Sequence, residues 1–177
     1  MQLLLAPRII KRLQRELRRA GSREIGGLLM GEHVRDETFR VLDISVQRAG
    51  GSQVCFIRDP RSHQAQLQKF FSETGNDYAR FNYLGEWHSH PGFDPVPSST
   101  DVDTMQSIVD DPNVGANFLV LLIPKLGSGK QFEATATAFR ANALPLAVPL
   151  LAESDPDVQR EGRASRWLRK IFMAREQ

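Results

Sequence analysis

Thiol chemistry is all but missing from this chain. Cys55 is the single cysteine, so no internal disulfide can form and no cysteine-rich zinc site can be built. That scarcity fits a reducing compartment, and a cytoplasmic location is expected. No run of 18 apolar residues occurs, which leaves nothing of the length a membrane-spanning helix needs. Met1 to Leu5 is apolar and the chain then turns basic, the reverse of a signal peptide, so none is expected. Internal repeats and low-complexity tracts are absent as well. So is a basic stripe across the middle: residues 1–23 carry a net charge of +6, residues 24–157 carry −8 and residues 158–177 carry +4. An acidic body with two basic ends is not the profile of a nucleic-acid binder. The ends read as solvated faces of terminal helices, or as a dock for an acidic partner.

What is present is a globular composition. Hydrophobic residues make up 41% and charged residues 25% of 177 residues, enough to bury one full core. Pro7 to Ala20 predicts a helix with Ile10, Leu13, Leu17 and Ala20 on one face and Gly21 closing it. Ile25 to Gly31 predicts a buried, Gly-rich strand. Thr38 to Gln47 alternates, with Phe39, Val41 and Asp43 on one side and the more consistently apolar Leu42, Ile44 and Val46 on the other. A turn at Gly50-Gly51, a strand over Gln53 to Arg58 and a helix opened by Asp59-Pro60 and ending at Gly75 follow. Tyr83 to His90 predicts a strand entering a Pro/Gly-rich loop. Ser98 or Ser99 caps a helix ending near Asp110, Phe118 to Ile123 is a strand buried on both faces, and Gln131 to Arg140 is the last strand. Strands and helices interleave without regular repetition, which points to an α+β or mixed α/β sheet.

Beyond Pro145 and Pro149 the pattern changes. Glu153 to Asp157 reads as a linker, and Val158 to Arg175 as an amphipathic helix with Trp167, Leu168, Ile171 and Phe172 on one side. The expected division is therefore a domain over residues 1–152 and a linker with helix over 153–177.

The chemistry concentrates in Gly85-Glu86-Trp87-His88-Ser89-His90-Pro91, followed by Ser98 and Asp101. On a strand, residues two apart share a face, so His88 and His90 can share one metal ion. Asp101, in the first turn of the next helix, can add an anionic ligand. Two imidazoles and a carboxylate leave one position of a tetrahedral zinc open, the layout of catalytic zinc. Each piece alone is weak: two exposed histidines on an edge strand look the same, and Ser98-x-x-Asp101 is also a helix capping box. Their conjunction is the signal. His33 and His63 are expected to be solvated.

The spacing His88-Ser89-His90-Pro91, six residues, Ser98, two residues, Asp101 resembles the JAMM (MPN+/JAB) metalloprotease motif. Glu24-Ile25-Gly26-Gly27-Leu28-Leu29-Met30-Gly31 is similar to the upstream glutamate element of that family, and the order of elements from residue 2 to about 140 resembles its fold. The resemblance implies a single MPN/JAB-type domain with a mixed central sheet flanked by helices, a cytidine-deaminase-like architecture. It implies Zn²⁺ on His88, His90 and Asp101, Glu24 as the residue that activates water, and Ser98 as support for the oxyanion. It further implies a protease or isopeptidase (a deubiquitinase-like hydrolase) that cuts after the C-terminal tail of ubiquitin or a ubiquitin-like protein. The short chain looks most similar to compact bacterial JAB proteins that accompany E1-like, E2-like and ubiquitin-like partners in antiphage operons of the Bil or CBASS type. The alternatives are processing of a small sulfur-carrier protein and a non-catalytic MPN scaffold. RadC-like proteins share the pattern, but the helix-hairpin-helix region that precedes it there is not seen here.

Overall fold

In the computed structural model, residues 1–48 and 61–153 are described. The elements are β1 (Gln2–Leu5), α1 (Pro7–Ala20), β2 (Gly26–Arg35), β3 (Thr38–Ile44), α2 (Arg61–Glu73), β4 (Phe81–His88), α3 (Ser99–Asp110), β5 (Leu119–Leu126), β6 (Phe132–Phe139), β7 (Leu146–Ala147) and β8 (Leu150–Ala152). The eight strands among the described residues form one mixed sheet in the order β7-β6-β5-β4-β2-β3-β1-β8. β4 runs parallel to β5, and β1 runs parallel to both β3 and β8. The remaining pairings are antiparallel. The two edge strands, β7 and β8, are separated only by Val148 and Pro149. Val148 N–H donates to Ala136 O and Pro149 O accepts from Leu3 N–H, so the sheet curls until its edges meet.

α1 forms because Pro7 occupies its first turn and its apolar residues recur at helical spacing. Gly21, at φ +66°, ends it with its N–H on Leu17 O. Ile9 and Leu13 of α1 join Leu29, Val41, Ile44, Trp87, Val120 and Leu122 in the main core. The alternate residues of β5, Leu119, Leu121 and Ile123, pack with Met105 and Val109 of α3 in a second cluster. β5 is therefore apolar on both faces because it is covered on both, as its continuous run predicts.

Several expectations need correction. β1, β7 and β8 are strands that the sequence pattern did not reveal. Each is four residues or fewer, and Pro145 and Pro149 break the last two. The two-faced reading of β3 fails because the β2–β3 register shifts between Met30 and Gly31. Across that shift Val41 and Ile44 are both fully buried, while Leu42 is not. β2 runs on to Arg35, past the buried stretch, as a hairpin arm with β3. β4 ends at His88 rather than His90. His63 is 1% exposed, not solvated: its Nδ1 meets Ser45 Oγ at 2.7 Å. The expected Gly50-Gly51 turn, the strand over 53–58, Asp59-Pro60 and the C-terminal helix lie outside the described residues.

Candidate metal centre

The site forms where three elements end together. β2 and β4 are antiparallel, and the register that pairs Gly26 with His88 brings the residues before β2 beside the residues after β4. Close approach of the strands needs small residues there. A Cβ on Gly27 would overlap the Ser45 carbonyl, and one on Gly85 the backbone of Val120. Ser45 ties the region together on the flank: its Oγ accepts from Leu28 N–H at 2.7 Å and its carbonyl accepts from Trp87 Nε1 at 2.9 Å. Sequence reading gave no role to Ser45, His63 or the Trp87 indole, because nothing in local spacing marks a contact spanning 42 residues.

His88 Nε2 and His90 Nε2 lie 3.2 Å apart although only His88 is on the strand. Beyond β4 the chain crosses toward β5, with His90 N–H on Pro124 O at 3.3 Å. His90 Nδ1 is 3.0 Å from Asp94 O. A carbonyl can only accept, so Nδ1 carries the proton and Nε2 presents its lone pair inward. Asp101 comes from the first turn of α3. Its Oδ1 is 3.4 Å from His88 Nε2 and its Oδ2 is 3.9 Å from His90 Nε2. Ligands of one tetrahedral zinc at ~2.0–2.1 Å stand roughly 3.3 Å from one another, so this donor set fits the ion. Among the described residues, His88, His90 and Asp101 form the group of possible ligands that converges in this way.

Ser98 caps α3, and both halves of the capping box are made. Ser98 Oγ accepts from Asp101 N–H at 3.2 Å, and Asp101 Oδ2 accepts from Ser98 N–H at 2.7 Å. Asp101 Oδ2 also accepts from the Ser98 hydroxyl at 2.7 Å. The capping and metal readings of Ser98-x-x-Asp101 are thus compatible: the cap orients the carboxylate toward the histidines. Burial pushes the Asp101 pKa up, but hydrogen bonds from His88 and Ser98 outweigh it and hold the carboxyl well below the usual range.

Glu24, in the loop just before β2, lines the same cleft and is 5% exposed. Burial raises its pKa; the nearby imidazoles of His88 and His90 oppose that rise, and the Asp101 charge adds to it. Glu86 also lines the cleft, half-buried, and accepts a hydrogen bond from Tyr83 Oη at 3.3 Å. The cleft holds about 570 Å³, and its outer lip carries Phe93 and Val96, 54% and 55% exposed. Lys125 anchors that lip through Phe93 O at 3.2 Å and Asp94 at 3.6 Å. Glu24, His88, His90, Ser98 and Asp101, the five residues singled out in the sequence, all line this one cleft.

Residues 6–141 match the family described as prokaryotic homologs of the JAB domain. Over 84 residues the chain is 37% identical to the ubiquitin carboxyl-terminal hydrolase RPN11 of Saccharomyces cerevisiae, covering 48% of this chain and 26% of that protein. It is 32% identical over 102 residues to the CD-NTase/cGAS isopeptidase of Enterobacter hormaechei, covering 56% and 53% of the two chains. The first of these matches therefore spans about a quarter of the relative's length. The solution structure of protein DSY2949 from Desulfitobacterium hafniense superposes with a TM-score of 0.65 over 87% of this chain and 94% of that one. At 20% identity this likeness concerns the fold.

Proposed function

The chain belongs to the family of prokaryotic JAB-domain homologues, and on that premise we propose that it is a zinc-dependent isopeptidase that cuts after the C-terminal tail of a ubiquitin-like protein. The observation that carries this reading is the convergence of His88 Nε2, His90 Nε2 and the Asp101 carboxylate beside a buried Glu24 in one cleft. His88, His90 and Asp101 would hold the metal, three protein ligands with one position left open. Zinc, when bound, supplies Lewis acidity toward water and toward the scissile carbonyl. Glu24 takes one proton from the attacking water as the C–O bond forms. It delivers that proton to the amine as the C–N bond breaks. Its burial beside the proposed ligands keeps bulk water from competing for that proton. The Ser98 hydroxyl supports the oxyanion. In the resting arrangement that proton points at Asp101, so the role needs the hydroxyl to rotate toward the substrate.

The two relatives named above are a ubiquitin hydrolase and an isopeptidase, which favours conjugates of ubiquitin-like proteins over sulfur-carrier proteins as substrates. We assign the chain to an antiphage conjugation pathway with E1-like and E2-like partners, acting in the cytoplasm. No helix among the described residues is long and apolar enough to cross a membrane. A non-catalytic scaffold is disfavoured by the complete donor set. The domain is taken as residues 1–152, to which Glu153 is still tied through Leu5 O and Arg40, with the residues after it as an appendage. The test is incubation with a ubiquitin-like protein fused to a peptide, read by intact mass. Scission directly after the tail, abolished by a chelator, is expected. Hydrolysis of unrelated peptides with the fusion left intact would contradict the substrate class.

A further inference from the structure

Ser89 sits between the two proposed histidine ligands, is 1% exposed, and has no part in the reading above. It makes two hydrogen bonds to one residue. Its N–H donates to Ile25 O at 2.8 Å, and its Oγ accepts from Ile25 N–H at 3.1 Å. Ile25 is itself buried and directly follows Glu24.

This pairing lies where the regular ladder runs out. The outermost registered pair of β2 and β4 is Gly26 with His88. One step further the chain leaves β2 and leans toward β5, as the His90 N–H bond to Pro124 O shows. That departure swings His90 to meet His88. It would also strip the Ile25 N–H of a backbone acceptor, in a place where burial excludes water. The Ser89 hydroxyl stands in for the lost carbonyl. The strand can bend for His90 while the backbone beside Glu24 stays pinned.

We propose that Ser89 is a positioning residue: through the backbone of Ile25 it sets the Glu24 carboxylate relative to His88 and His90. The inference rests on Glu24 being the proton-transfer group. Ser89 is buried and is not among the residues that line the cleft, and acts on turnover through where it holds Glu24. A general base displaced by about 1 Å costs up to ~10²-fold in rate.

The test uses the zinc-loaded full chain and the ubiquitin-like fusion. Ser89→Ala should lower kcat roughly 10- to 10²-fold, with KM and zinc stoichiometry unchanged. Ser89→Thr keeps the acceptor oxygen and should recover most of that loss. In a Glu24→Gln background, Ser89→Ala should add no further loss, because the group it positions is already disabled. If Ser89→Ala does not fold, Ser89→Cys replaces it: a near-isosteric but weak acceptor, expected to lower kcat with one zinc still bound per chain. Wild-type kcat in the folded Ala or Cys variant overturns the proposal. So does an equal further loss in the Glu24→Gln background, which would mark a general structural effect. Full activity of Glu24→Gln itself would instead overturn the role of Glu24, so the two failures are told apart by that single arm.

Discussion

Two glutamates compete for one role in the cleft. Glu86 is two residues from His88 on β4 and nearer to it in sequence, whereas Glu24 comes from the loop that leads into β2. A side chain in the same row of a strand stands about 6–7 Å from the next in that row, better placed to orient a neighbour than to reach across to an open coordination position. Glu86 is further engaged by Tyr83. Glu24 is buried and feels both imidazoles and Asp101. Glu24→Gln should therefore keep fold and zinc but lose roughly 10²–10⁴-fold in turnover, and Glu86→Gln should cost less. Steady-state kinetics on both variants, with zinc measured in each, decides: a dead, zinc-bound Glu86→Gln beside an active Glu24→Gln would exchange the roles. At this scale the convergence of His88, His90 and Asp101 was legible, because the three stand at spacings short enough to read along the chain. Ser89, Ser45 and His63 were not legible. Their partners lie 64, 42 and 18 residues away, and a serine carries no pattern of its own.

Among the elements, the seam between β4 and β5 depends on a residue without a side chain. Gly85 has φ +141°, and a Cβ there would meet the Val120 backbone on the parallel neighbour. Gly85→Ala should lose about 2–3 kcal/mol or more through overpacking and backbone strain, lowering Tm by roughly 5–10 °C. A thermal melt checks this, and an unchanged Tm would show that the seam opens freely. The far end of β2 is held by charge instead. Glu32 is buried and accepts from Arg80 at 2.6 Å and Arg40 at 2.7 Å. Burial raises its pKa, but those two guanidinium groups outweigh it and hold the carboxyl below its ordinary value. Its folded pKa being depressed, the stabilisation is complete above the unfolded value of about 4.3 and is lost as pH falls through the folded one. Glu32→Gln should flatten the acid limb of a urea-denaturation series below about pH 5, and an acid limb identical to wild type would show that Glu32 does not carry it. α1 was legible because its periodicity accumulates over many residues, and β5 because its apolar run is long and unbroken. β1, β7 and β8 were not, since two to four residues hold no period and their strand character comes from the neighbours that recruit them.

For the whole molecule, a sheet whose edges are joined through Val148 and Pro149 makes the last strand part of the domain rather than a tail. Glu153 completes it, with its N–H on Leu5 O and its carboxylate on Arg40. A chain cut after Glu153 should keep its fold and bind zinc as the full chain does, since every proposed ligand precedes the cut. A chain cut after Ala147 loses β8 and should be markedly less stable; equal melting of the two would show that curling of the sheet does not contribute. The order of the sheet could not be read from the sequence, because β4 pairs with β2 and β5 over long separations that local pattern does not encode. What links the fold to the proposed activity is that this order brings Glu24, the two histidines and the start of α3 to one cleft. The most direct test is to titrate metal-free protein with zinc while following hydrolysis of a ubiquitin-like fusion. Turnover should rise from background to a plateau at about one zinc per chain. Full turnover without zinc, or none at saturating zinc, would contradict the account.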